Sequence, residues 1–179
     1  MAVPSVALAY KRSALMTATK VTTKPPSPEV LRARDDFKDF CVFMGKAPAK
    51  HMLEWHTQLC TGEDSECLLG IGGPNTAILA PRGSAKSTVL GLFAAWMIGR
   101  HTAAGQMLRI LYIAYMVDIS RAKSATIKGI LTSNKYREVF PMVRLSKIKR
   151  SDEYWSIDYD FAGIDTAGEE AFTLSLIHI

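Results

Sequence analysis

The stretch Thr76-Ala77-Ile78-Leu79-Ala80-Pro81-Arg82-Gly83-Ser84-Ala85-Lys86-Ser87-Thr88 constrains this chain more than any other. A short apolar strand runs into a loop of small residues, then a lysine, a hydroxyl pair and an apolar helix. That order brings loop N–H groups and the positive end of a helix dipole to one point, which suits a row of phosphates. Lys86 is placed to reach β/γ-phosphates, and the Ser87 hydroxyl to complete the shell of a Mg²⁺ ion. A nucleoside-triphosphate site built from Pro81, Arg82, Gly83, Ser84, Ala85, Lys86, Ser87 and Thr88 is therefore expected. The plainer alternative is an ordinary strand-to-helix turn with a surface lysine.

The usual spacing is G-x-x-x-x-G-K-[ST]. Here Ala80 and Ala85 hold both glycine positions, and Gly83 lies inside the variable part. A Cβ at Ala85 costs about 1–2 kcal/mol if the loop needs a positive φ there. Context supports the site: Ile78-Leu79-Ala80 reads as a buried strand end, and Thr88 to Ile98 as a buried helix.

Around the loop the periodicity predicts alternating elements. A helix starts at Ser27-Pro28-Glu29, runs through Leu31, Phe37, Phe40, Cys41 and Phe43-Met44, and stops at Gly45. A second covers Ala49–Leu59 with Met52, Leu53, Trp55 and His56. Helix Lys86–Arg100 and strand Leu108–Ala114 complete a β–α–β unit, right-handed and parallel by the crossover rule. A helix over Asp118–Leu131 comes next, with Ile119, Ala122, Ile127 and Ile130 on one face and Asp118 as its N-cap. Tyr154–Tyr159 reads as a strand, and Asp158 and Asp160, alternating with Ile157 and Tyr159, suit a surface strand better than a metal site.

The string Leu79-Ala80-Pro81-Arg82-Gly83-Ser84-Ala85-Lys86-Ser87 resembles the degenerate phosphate loop of the large terminase subunit of tailed bacteriophages. Leu108–Tyr115, Asp118–Leu131 and Asn134–Pro141 are similar to the elements after that loop in the family, so the resemblance spans residues 37–172. It implies an α/β P-loop NTPase fold (ASCE, RecA-like), a three-layer sandwich with a mostly parallel central sheet, incomplete in this chain. It further implies ATP with Mg²⁺ as cofactors, and an ATPase that drives double-stranded DNA into a viral capsid. Arg82 would sense or stabilise the γ-phosphate and Lys86 would bind it; His51, Trp55 and His56 would contact adenine. The implied partners are DNA, the capsid portal, the small terminase subunit and further copies in a ring, acting in the host cytoplasm and at the procapsid. The family also uses an acidic strand end to polarise water; no such motif is found here, so this fragment is expected to be inactive in hydrolysis.

Composition fits this reading. The 48% hydrophobic and 22% charged content is that of a globular chain. Cys41, Cys60 and Cys67 are odd in number and match no disulfide or zinc spacing, even with His51 and His56 added. The longest apolar run, Val89–Ile98, is well short of the roughly 20 residues a membrane span needs. Charge is segregated: residues 121–150 hold nine Lys/Arg against one acid, and residues 151–179 hold seven acids and no Lys/Arg. Arg121, Lys123, Lys128, Lys147, Lys149 and Arg150 could therefore track a phosphate backbone, or be neutralised by the acidic block.

Three segments complete the division. Residues 1–28 read as a flexible Pro/Thr-rich leader, basic and free of acids as a transit peptide is. Residues 29–173 form the partial ATPase domain. Residues 174–179 are similar to a translated transposon end from sequencing libraries, with an apolar last strand as the alternative. Two other functions fit parts of the pattern: another P-loop ATPase of helicase type, and a non-catalytic nucleic-acid-binding domain.

Overall fold

The computed structural model describes residues 25–52, 79–164 and 174–178. It opens with two short helices, α1 (Pro28–Asp35) and α2 (Phe37–Phe43). Ser27 caps α1, accepting from Val30 N–H, and Pro28 sits in its first turn where no donor is needed. The single helix expected up to Met44 is broken at Asp36, whose backbone is extended (φ −121°, ψ 130°). Asp36 commits its carboxylate to Asp39 N–H at 2.9 Å, a capping bond that competes with continued helix. Gly45, at φ +75°, ends α2 as the sequence predicts.

The long helix α3 (Lys86–Ala103) is the centre of the core. Its buried face carries Val89, Leu92, Ala95, Trp96 and Ile98. Phe37 of α2 packs edge-on against Phe93, with ring centres 5.4 Å apart, and lies 5.6 Å from Trp96. Two buried polar tips are satisfied on backbone: Trp96 Nε1–H donates to the Ala33 carbonyl at 3.2 Å, and Tyr136 O–H to the Ala95 carbonyl at 2.8 Å. Such bonds tie aromatic volume to a fixed orientation.

After α3 come strand β1 (Leu111–Ala114) and helix α4 (Val117–Thr132). Asp118 is not the N-cap of α4: Met116 holds that position without a side-chain bond, and Asp118 lies in the first turn. There its charge still favours the positive helix end. The buried face of α4 is Ser120, Ser124, Ile127 and Leu131, so it is rotated from the expected stripe of Ile119, Ala122, Ile127 and Ile130. The serines can be inside because they are bonded; Ser124 Oγ accepts from Trp155 Nε1–H at 2.8 Å.

The remaining elements are helix α5 (Asn134–Val139), strands β2 (Leu145–Arg150) and β3 (Tyr154–Ile157), helix α6 (Tyr159–Ala162) and strand β4 (Leu174–His178). The strand expected to reach Tyr159 stops at Ile157. Asp158 instead caps α6, accepting from Phe161 N–H at 3.1 Å, and Asp160 is helical. The described sheet has the order β1-β4-β3-β2; β1 and β4 are parallel, and the other two pairs antiparallel. β1 begins at Leu111 rather than at the expected Leu108. Of the expected strand Thr76–Ala80, only residues 79 and 80 are described, and neither is in a strand. Residues 1–24, the part of the expected helix Ala49–Leu59 beyond Met52, Cys60 and Cys67 also lie outside the described residues.

Gly99 of α3 lies against the ring of Phe140, the residue that follows α5. A Cβ there would stand 2.4 Å from the Phe140 ring, and Phe140 is itself buried. Gly99→Ala is expected to destabilise by about 1–3 kcal/mol through overpacking. Gly129→Ala on α4, with open space around it, is expected to stabilise by about 0.5–1 kcal/mol through helix propensity. Urea unfolding of the two variants measures both; equal midpoints would show that the α3–α5 contact is looser than described.

Candidate functional site

Two residues of the loop before α3 have positive φ. Gly83 sits at φ +84°, and Ala85 at φ 58°, ψ 18°, in the left-handed region. Ala85 is the one non-glycine residue with positive φ among the described residues. A left-handed residue immediately before the helix turns the chain sharply, so the loop folds back over the helix end. The second glycine position of the usual pattern does require the unusual backbone here, and Ala85 bears the cost of a Cβ in it.

Three side-chain bonds close the loop on itself. Ser84 Oγ donates to the Pro81 carbonyl at 2.8 Å. Lys86 is the first residue of α3, and its Nζ turns back to donate to the Ala80 carbonyl at 2.5 Å and the Pro81 carbonyl at 2.9 Å. An ammonium has three donors, and two of those of Lys86 hold the loop. Thr88 and Val89 N–H both bond to the Ala85 carbonyl, at 2.9 and 3.0 Å. The helix end has no side-chain cap and no acid in its first turn. The local field is thus positive, made by a helix dipole and an ammonium.

Pro81, Arg82, Gly83, Ser84, Ala85, Lys86, Ser87 and Thr88 all lie in the loop and first turn, with Arg82 exposed at its outer bend. Ser87 is exposed beside Lys86, where its hydroxyl could complete the shell of a phosphate-bound Mg²⁺. His51 lies against the loop, Nε2 3.4 Å from the Ser84 carbonyl. Trp55 and His56 lie outside the described residues. Among the described residues no three His, Cys, Asp or Glu gather to hold a metal ion.

A cavity of about 260 Å³ opens directly beside the loop. Its walls are Ala85, Thr88, Val89 and Leu92 on one side, and Phe37, Lys38, Cys41, Lys46 and Met52 on the other. Sequence reasoning does not place these last five at the site, because they approach Ala85 only once α2 and the residues that follow it fold against α3. Phe37 and Cys41 do carry an apolar helical signal, but that signal reads simply as core. Burial, and secondarily the charge of Asp36, pushes the Cys41 thiol up to about 12. A second, apolar cavity of about 320 Å³ lies between α3, α4 and residues 108–112, with Ser87 and Lys123 on its lining. No described helix is long and apolar enough to cross a membrane.

Two outcomes check this geometry. Ala85→Gly should raise the urea midpoint, stabilising by up to about 1 kcal/mol, because the relief of left-handed strain exceeds the added unfolded-state freedom. An unchanged or lower midpoint would place the loop in another conformation. Cys41 should remain protonated, and so resist iodoacetamide, at both pH 8 and pH 10 in the folded chain, because its thiol titrates near 12. Peptide mapping reads this site apart from Cys60 and Cys67; rapid labelling of Cys41 at pH 8 would contradict its burial. Comparison of the chain with protein-family profiles, curated proteins and solved structures finds no match.

Proposed function

We propose that this chain is the ATP-binding part of a DNA-packaging motor of the large terminase type, in the fold its phosphate loop implies. The observation that carries the reading is the pairing of left-handed Ala85 with Lys86, whose ammonium lies over the loop carbonyls at an uncapped helix end. These groups fit a polyphosphate: the loop and first-turn amides and Lys86 would bind its oxygens, and Ser87 a Mg²⁺ ion that neutralises their charge. Arg82, on the exposed bend, would swing onto the terminal phosphate, where a guanidinium matches its oxygens. The adjoining cavity beside Phe37 and Met52 leaves space for the nucleoside, with His51 at its edge.

Bound at this site, ATP would supply the phosphoryl group whose transfer to water drives movement along double-stranded DNA. The chain's own residues account for binding and charge stabilisation. They do not account for activation of water, since the acidic strand end that the resembled family uses for it is not found in this sequence. ATP binding with negligible turnover is therefore expected of this chain. A ring on the capsid portal, contact with the small terminase subunit, and action at the procapsid in the host cytoplasm belong to the same proposal.

Thermal melts with Mg-ATP test it. Saturating ligand at about 100 times Kd should stabilise the folded chain by about 2.7 kcal/mol. Lys86→Ala should abolish the protection, and Lys147→Ala, on exposed β2, should retain it. Equal protection in both variants would move the ligand away from the loop.

A further inference from the structure

The basic segment and the acidic one meet on one face of α4. Arg121, Ser124 and Lys128 lie three and four residues apart on that helix, hence side by side. The β2–β3 turn crosses them. Glu153 Oε1 accepts from Arg121 Nη2 at 2.5 Å, and Asp152 Oδ1 accepts from Lys128 Nζ at 2.9 Å. Lys128 also donates to the Ser151 carbonyl at 3.1 Å. Between the two ion pairs, fully buried Trp155 donates to Ser124 Oγ at 2.8 Å.

These contacts differ in strength. Trp155 is enclosed in the core, and its bond to Ser124 is shielded from water. The two carboxylates are not: the Asp152 side chain is 70% exposed and that of Glu153 49%, and of their cations Arg121 is 49% exposed and Lys128, the more enclosed, 17%. Exposed ion pairs add little to stability and weaken with salt. The hairpin is therefore held by Trp155, and its two carboxylates can leave their cations without undocking it.

We propose that Asp152 and Glu153 act as a built-in stand-in for nucleic-acid phosphates, covering Arg121 and Lys128 until a phosphate backbone displaces them. The inference rests on the DNA-motor reading and adds a regulatory contact to it. Ser151 keeps the turn in shape meanwhile, its Oγ accepting from Tyr154 N–H at 2.8 Å and donating to the Tyr154 carbonyl at 2.7 Å. Displacement requires only side-chain rotation. A polyanion that meets several cations at once gains counterion release, which a pair of carboxylates fixed to the same chain cannot match.

Fluorescence anisotropy with a labelled DNA duplex, titrated from about 50 to 200 mM salt, tests the exchange in the full chain. Asp152→Asn/Glu153→Gln keeps the size and hydrogen-bonding capacity of the turn but removes its charge. It should bind roughly tenfold tighter, because the duplex no longer has to displace two carboxylates from the cations it contacts. Adding Arg121→Gln/Lys128→Gln to that variant should erase the gain. Glu29→Gln/Glu138→Gln, with the same change in net charge elsewhere, should not reproduce it. Duplex binding by the unaltered chain that is the same in the turn variant would overturn this inference and leave the motor reading standing. A gain that survives loss of Arg121 and Lys128, or that the control variant shares, would also overturn it. No duplex binding by any variant would overturn both. Melting curves of each variant show whether the fold is retained. Should the turn variant unfold, Glu153→Gln alone is expected to bind roughly threefold tighter, half of the effect in free energy, and unchanged binding there would overturn the inference.

Discussion

One backbone constraint organises the molecule: the left-handed turn at Ala85 that launches α3. Because the chain reverses there, the loop carbonyls of Ala80 and Pro81 face the Lys86 ammonium. The same reversal fixes where α3 begins, and so which of its faces meets α1, α2 and α5. An alanine in that conformation is tolerated because burial along α3 compensates for its strain. Val89, Leu92, Ala95 and Trp96 are buried on the helix that it starts, and a large apolar side chain contributes about 1.5–3 kcal/mol when fully removed from water.

The site is therefore a by-product of good packing on one side and unmet polarity on the other. Phe37 and Cys41 belong to the core and also form a wall of the cavity beside Ala85. A ligand in that cavity would rest on a Phe37 ring already held by Phe93 and Trp96, so little ordering remains for binding to bring about. The loop is closed by its own lysine in a similar way. Exchange of a carbonyl for a phosphate oxygen at Nζ replaces a neutral acceptor by a charged one, which strengthens the bond.

Local signals in the sequence carry well where the backbone itself imposes them. Lys86 as the first residue of its helix, Gly45 as a stop and Ser27-Pro28 as a start reflect caps and dihedral preferences. Readings that depend on neighbours distant in sequence fare less well. Asp36 could break a helix or sit on its surface, and only its bond to Asp39 decides. The buried stripe of α4 is set by Trp155, thirty-one residues from its partner Ser124, so hydrophobicity alone selects the wrong face. Asp158 fits a strand pattern until its cap on α6 ends it. The cavity wall is illegible for the same reason, since α2 and Ala85 approach only in three dimensions. The pairing of the basic and acidic blocks is legible as a possibility, but not which residues meet.

The central claim is that the amides and ammonium around Ala85 and Lys86 grip a polyphosphate. Amide chemical-shift mapping with a non-hydrolysable ATP analogue and Mg²⁺ tests it most directly. The largest shifts should fall on Gly83, Ser84, Ala85, Lys86 and Ser87, with smaller ones at Phe37 and Met52 along the cavity. Shifts concentrated on α4 and the β2–β3 turn, with the loop unmoved, would contradict it.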